Sequence, residues 1–141
     1  MLHFVNSDLL AAGLSPLAPN AARVAAGRLF LRELDRLAAQ REDFAFESTL
    51  SGTAHLGRLA RWRSSGYRVE IVYLKLTEVE VALQRIAGRI RMGGHGVPET
   101  DVRRRFARSW VNFIHRYRPL AHRSWVFDVD GPGHILLEEN P

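Results

Sequence analysis

Two carboxylates stand where an α/β scaffold usually does its chemistry. Asp8 closes a short apolar run that ends in Asn6-Ser7-Asp8, and Glu47 stands in the short strand predicted over Phe44-Ala45-Phe46-Glu47-Ser48-Thr49. Each therefore lies at or near the C-terminal end of a predicted strand, the edge at which open α/β sheets bind ligands. A carboxylate there can take a proton from a substrate hydroxyl or hold a magnesium-bound water. Plainer roles are open to both: Asp8 can cap a helix beginning at Leu9, and Glu47 can be a solvated strand end. Ser48, Thr49 and Ser51 add hydroxyls able to donate to a substrate, although no G-x-S-x-G elbow surrounds them.

Arginine is the second chemical theme. Lys75 is the single lysine among 20 basic residues, and arginine suits bidentate contact with phosphate. Arg85 and Arg89 share a helix face at i, i+4, where like charges repel by a few tenths of a kcal/mol. An anion between them would offset that repulsion. Arg91 follows, then Gly93-Gly94-His95-Gly96, then Arg103-Arg104-Arg105. Two arginine-bearing helices joined by a glycine-rich turn can close over phosphates as a lid; a solvated basic face is the plainer alternative.

Several chemistries are excluded. The chain has no cysteine, which removes disulfides, thiolate catalysis and Cys-based zinc sites. Its six histidines, His95 among them, are scattered without an H-E-x-x-H or similar spacing, so a His-held metal is not expected. No G-x-x-x-x-G-K-[ST] loop is present, because Lys75 lies inside Leu74-Lys75-Leu76 with no glycine at the required distance before it.

The elements that must position these residues follow from apolar spacing. Ala22, Ala26, Phe30, Leu34 and Leu37 recur every three or four residues, which predicts a helix over 20–41 after the loop chemistry of Gly13-Leu14-Ser15-Pro16. A helix over 54–64 closes at Gly66. The clearest strand is 69–76, apolar on both faces, as expected of a strand covered on both sides. Val79, Leu83, Ile86 and Ile90 mark a helix that stops at Gly93-Gly94. A second helix, from Pro98 to Arg118-Pro119, carries Val102, Phe106, Trp110, Phe113 and Tyr117. Trp125 to Val129 is a last core strand and 134–137 an extra one. Trp62, Trp110 and Trp125 sit within these periodicities and are read as core rather than as base-stacking platforms.

Alternation of strand and helix implies parallel βαβ units. A length of 141 residues, 46% of them hydrophobic, fits one ordered domain, 1–141. No apolar stretch approaches the roughly 20 residues that span a bilayer. The start lacks the basic region and apolar run of a signal peptide. A cytoplasmic protein without membrane attachment is expected. The net charge of +5 admits nucleic acid as a partner. No helix-turn-helix, zinc or RNA-binding signature supports that reading.

Five runs in order give these segments a resemblance to the zeta-toxin family, including its UDP-N-acetylglucosamine kinase-type relatives. They are Phe4-Val5-Asn6-Ser7-Asp8, Gly13-Leu14-Ser15-Pro16, Phe46-Glu47-Ser48-Thr49-Leu50-Ser51-Gly52, Trp62-Arg63-x-x-Gly66-Tyr67-Arg68-Val69, and Arg89-Ile90-Arg91-x-Gly93-Gly94-His95-x-Val97-Pro98-Glu99 with Arg104-Arg105-Phe106. The resemblance implies a P-loop kinase-like fold, a three-layer parallel sheet flanked by helices. It also implies transfer of the ATP γ-phosphate, with Mg2+, to a small-molecule hydroxyl such as that of a UDP-amino sugar, and an antitoxin protein as partner. It makes Asp8 the base for that hydroxyl and places Glu47, Ser48 and Thr49 on the substrate side. Arg89 or Arg91 becomes a phosphate-contacting arginine, with Arg104 or Arg105 near a second such position; Arg85, from its own spacing with Arg89, is a further expected phosphate ligand. Phosphoryl transfer is mostly positioning and charge stabilisation, so a base with several arginines is a sensible set.

One departure from the family pattern bears on activity. The family sets a strand, the P-loop and a helix, about 30 residues, before the Phe4 to Asp8 segment. Only residues 1–3 precede it here. The chain is thus expected to be an N-terminally truncated zeta-toxin-like domain without kinase turnover, whether through a misplaced start, as a fragment, or as a remnant that still binds a nucleotide sugar or a protein. Loss of a central strand should leave the strands around Phe46 and Ile71 to pair directly, to borrow a strand from another copy, or to expose adhesive edges through which the chain self-associates.

Overall fold

A computed structural model describes residues 2–94 and 96–141; Met1 and His95, the latter in the glycine-rich turn, lie outside the described residues. The chain divides into two compact units, Met1–Ser48 and Thr49–Pro141.

In the first unit the order is β1 (His3–Val5), α1 (Ser7–Leu14), a 3-10 turn (Pro19–Ala22), α2 (Arg23–Ala39) and β2 (Phe44–Phe46). The helix expected over 20–41 opens as that 3-10 turn, with Pro19 in the first position, where its missing N–H costs nothing. Ala26, Phe30, Leu34 and Leu37 form the buried stripe of α2. Phe30 meets Phe46 edge-on, with ring centroids 5.9 Å apart, an arrangement favoured by the ring quadrupoles. β1 and β2 run parallel, His3 opposite Phe44 and Val5 opposite Phe46, so both strands end at the same edge.

The second unit contains α3 (Leu56–Ser64), β3 (Glu70–Lys75), α4 (Val79–Arg91), α5 (Glu99–Asn112), β4 (Arg123–Asp128) and β5 (Ile135–Asn140). α4 stops where the glycines predict. Gly93 has φ 86, and a Cβ on Gly94 would lie 2.9 Å from the Arg89 carbonyl oxygen, so a side chain there would collide with backbone. α5 continues into a π-helical turn, Phe113–Tyr117, which the apolar spacing did not reveal, and then a short 3-10 turn, Arg118–Leu120. β3 and β4 are parallel, Glu70 opposite Arg123 and Lys75 opposite Asp128. β5 returns antiparallel to β4 and supplies the extra strand.

The architecture is mixed α/β: a two-stranded parallel sheet in one unit and a three-stranded sheet of order β3-β4-β5 in the other. Phe113 and Tyr117 are fully buried, and Tyr73 of β3 stacks on Phe113 at 4.5 Å. The expectation that β3 is covered on both faces needs correction. Val72 and Leu74 are 58% and 56% exposed, since α5 packs on the other face of β3, where Tyr73 meets Trp110. Trp62 is core as expected, while Trp110 and Trp125 are half-buried. Among the described residues no helix is long and apolar enough to cross a membrane.

Candidate functional site

Parallel pairing of β1 and β2 brings Asn6 and Glu47, the residues just past each strand, to one edge. The Asn6 amide donates to Glu47 Oε2 at 2.9 Å. The same side chain accepts from the backbone N–H groups of Asp8, at 2.9 Å, and Leu9, at 3.1 Å. Asn6 is therefore the N-cap of α1, satisfying two of the amides that a helix start leaves open. The capping role considered for Asp8 belongs to Asn6. Asp8, in the first turn of α1, keeps an exposed carboxylate that has no hydrogen bond or ion pair to another described residue. Glu47 and Ser48, which follow β2, are exposed as well. One amide thus orients two carboxyl-bearing residues and leaves Asp8 open to accept a proton.

Thr49 begins the second unit. Its hydroxyl lies 2.8 Å from that of Ser51, and the loop around them is held from the end of α5. Asn112 donates to the Leu50 carbonyl at 2.9 Å, and the Tyr117 hydroxyl donates to the Gly52 carbonyl at 2.7 Å. Leu50 has φ 53, in the left-handed region that a branched side chain seldom occupies, so these two bonds fix an uncommon backbone turn. Burial raises the pKa of the Tyr117 hydroxyl. His55, just before α3, is held below its ordinary value by burial and then by Arg58.

The arginines separate into committed and open groups. Arg85 donates through Nη2 to the carbonyls of Val129 and Asp130 just beyond β4, the latter at 3.2 Å, so this cation ties a loop to α4. Arg104 pairs with Asp101 at 2.7 Å. Arg103 spans Glu99, at 2.8 Å, and Glu80, at 3.1 Å, linking α5 to α4. The side chains of Arg89, Arg91 and Arg105 have no hydrogen bond or ion pair to another described residue, Arg89 and Arg91 being exposed and Arg105 half-buried. They are the members of the basic segment most free to meet an anion.

Beyond the C-terminal ends of β3 and β4, Asp130 accepts from the Thr77 N–H at 3.1 and 3.2 Å, and Asp128 Oδ1 accepts from the Asp130 N–H at 2.8 Å. Hydrogen bonds from Thr77, with a smaller contribution from Arg85, hold the Asp130 carboxyl below its ordinary range. The described residues contain no group of three His, Asp or Glu placed to hold a metal ion. They also lack the glycine-rich loop that would cradle a nucleoside triphosphate. Sequence reasoning missed Asn6, Asn112 and Tyr117. Only Asn6 carried a signal, a preferred cap residue standing between a strand and a helix.

The fold is that of a mixed α/β protein with a polar edge at the end of a parallel strand pair. No protein-family model matches the sequence, and no solved structure matches it. The chain is 32% identical over 102 residues to an uncharacterized protein of Haemophilus influenzae (strain ATCC 51907 / DSM 11121 / KW20 / Rd), a match covering 72% of this chain and 73% of that protein. It belongs to the same family as that protein.

Proposed function

We propose that the chain is a zeta-toxin-like phosphotransferase domain with a P-loop kinase-like ancestry, and that the edge formed by Asn6, Asp8 and Glu47 is its acceptor side. The observation carrying this reading is the Asp8 carboxylate, left without a partner among the described residues while Asn6 takes the cap. A base must be unencumbered to accept the proton of a hydroxyl, and Glu47, fixed by Asn6, supports the substrate next to it. The acceptor fitting this reading is a hydroxyl of a nucleotide sugar of the UDP-amino-sugar kind. In the second unit, Arg89, Arg91 and Arg105 are the arginines available for the phosphate contacts that the resemblance implies. No step is assigned to Mg2+; among the described residues no group of three or more His, Asp or Glu is placed to hold a metal ion.

These 141 residues hold no phosphate-binding loop, so binding without turnover is the expected behaviour. The test is titration of the purified chain with UDP-N-acetylglucosamine, followed by backbone NMR, alongside an assay for ATP-dependent phosphorylation of the same sugar. Saturable shifts at Asn6, Asp8, Glu47 and Ser48, weakened in Asp8→Asn, support the acceptor-side reading. Absence of any shift along that edge at millimolar sugar nucleotide overturns it. Robust transfer would keep the reaction class and refute the expected silence.

A further inference from the structure

A different part of the second unit gathers cations around an open hollow. α3 ends in a turn at Gly66, whose φ of 96 suits glycine and reverses the chain into β3. That reversal puts Arg63, on the last turn of α3, and Arg68, just before β3, on one side. The 3-10 turn ahead of β4 delivers His122 and Arg123 to the same place, because β3 and β4 are parallel and begin side by side, Glu70 opposite Arg123. Together with Gly66, Tyr67 and Pro141 these residues line a shallow hollow of about 510 Å³. It lies at the N-terminal ends of the strands, away from the C-terminal edge where Asp128 and Asp130 are tied.

The donors are held rather than loose. His122 Nδ1 accepts from the Val69 N–H at 3.0 Å, and the His122 N–H donates to the Val69 carbonyl at 2.7 Å. With Nδ1 used as an acceptor, the neutral ring carries its proton on Nε2, which is then a donor. Arg63 donates one N–H to the Pro119 carbonyl at 3.0 Å and keeps its other donors. Arg123 packs its guanidinium over Trp125, 5.0 Å from the ring centre, and pairs with Glu139. Arg68 pairs with Glu70 at 2.8 Å. Those carboxylates are the counter-charges facing the hollow, each about half exposed, and such surface pairs contribute little. Three guanidinium groups and the His122 Nε2–H share the hollow with these two carboxylates and with Pro141, the last residue of the sequence, so what it offers is a surplus of hydrogen-bond donors, five N–H groups on each arginine, rather than a surplus of charge. A doubly charged oxyanion can enter it and use the forked geometry of arginine.

We propose that this hollow is a binding site for a small phosphorylated anion, separate from the acceptor edge and independent of the function assigned to it. The shared chemistry is a phosphate dianion, free or carried by a small molecule. A basic face that merely attracts polyanions is the competing outcome.

The test is a titration of the intact chain with inorganic phosphate and with pyrophosphate, at constant ionic strength. It is read from the side-chain NMR signals of the arginines and of His122. The expected result is saturable perturbation confined to Arg63, Arg68, His122 and Arg123. Affinity should fall roughly tenfold or more in Arg63→Gln and Arg123→Gln, the loss appropriate to a charge-assisted hydrogen bond. Arg63→Lys and Arg123→Lys keep the charge and guard against misfolding; their intermediate affinity with an unchanged circular dichroism spectrum supports the site. Pyrophosphate binding more tightly than phosphate points to a carried diphosphate, and the reverse to free phosphate. Shifts spread evenly over all arginines, or equal to those produced by chloride, overturn the proposal. So does steeply salt-dependent binding of duplex DNA that displaces phosphate and is unchanged by Arg63→Gln.

Discussion

The C-terminal ends of two parallel strand pairs, one in each unit, hold similar residues and treat them differently. Past β1 and β2, a single asparagine takes the helix cap and steadies Glu47, and Asp8 is left with an open carboxylate. Past β3 and β4, the polar groups satisfy one another: Arg85 holds the carbonyls of Val129 and Asp130, Asp130 holds the Thr77 amide, and Asp128 holds the Asp130 amide. Position at a sheet edge supplies geometry, and partnership decides what that geometry can do. A cation already bound to two carbonyls would have to leave them unpaired in order to serve a ligand. The first edge is built for availability and the second for closure.

If that division is right, the largest loss of stability follows from opening the closed edge. Arg85→Ala should cost about 1–3 kcal/mol in chemical denaturation, since it strips partners from backbone carbonyls, one of them on the buried Val129. A cost below about 0.5 kcal/mol, the range of an ordinary surface change, would return Arg85 to the group of open arginines. Asn6→Ala comes next, at about 1 kcal/mol for a lost N-cap. It should also change the amide shifts of Asp8 and Leu9, whose N–H groups lose their acceptor.

The closed edge should also have an acid limit. The Asp130 carboxyl is held below its ordinary value of 3.8 by the Thr77 hydrogen bonds. A depressed folded pKa means that the unfolded chain takes up the proton first. The stabilisation is therefore present above about pH 3.8 and is lost as pH falls through the lower folded value. Thermal unfolding between neutral and strongly acid pH should show this loss in the wild type, with a shallower acid slope in Asp130→Asn.

The smallest effects belong to the open groups. Asp8→Asn, Arg89→Gln and Arg91→Gln should each change stability by less than about 0.5 kcal/mol. A thermal midpoint that drops sharply in any of them would show a structural partner and dissolve the contrast between the two edges.

Much of the frame was legible in the residues. The stripe Ala26, Phe30, Leu34 and Leu37 predicted α2 because helical period and apolar burial agree. Gly93-Gly94 predicted the end of α4 because only glycine fits its backbone there. The placement of Asp8 and Glu47 at or near strand ends was readable from their short apolar runs, although β2 ends at Phe46 and not at the expected Thr49. β3 misled because an apolar residue on each face records what a strand can bury, and whether a layer arrives to cover it is a matter of long-range packing. The number of strands in each sheet, and the antiparallel course of β5, were equally beyond local pattern.

What the sequence determined by itself is therefore the longer helices and the strands, the absence of cysteine chemistry and of a phosphate-binding motif within these residues, and the residue types near each strand end. Tertiary structure alone decided which of those residues are occupied. Asn6 caps α1 and meets Glu47 across 41 positions, Arg85 reaches Val129 across 44, and Tyr117 reaches Gly52 across 65. Hydrogen bonds of that span depend on how elements pack, and local propensity carries no record of them.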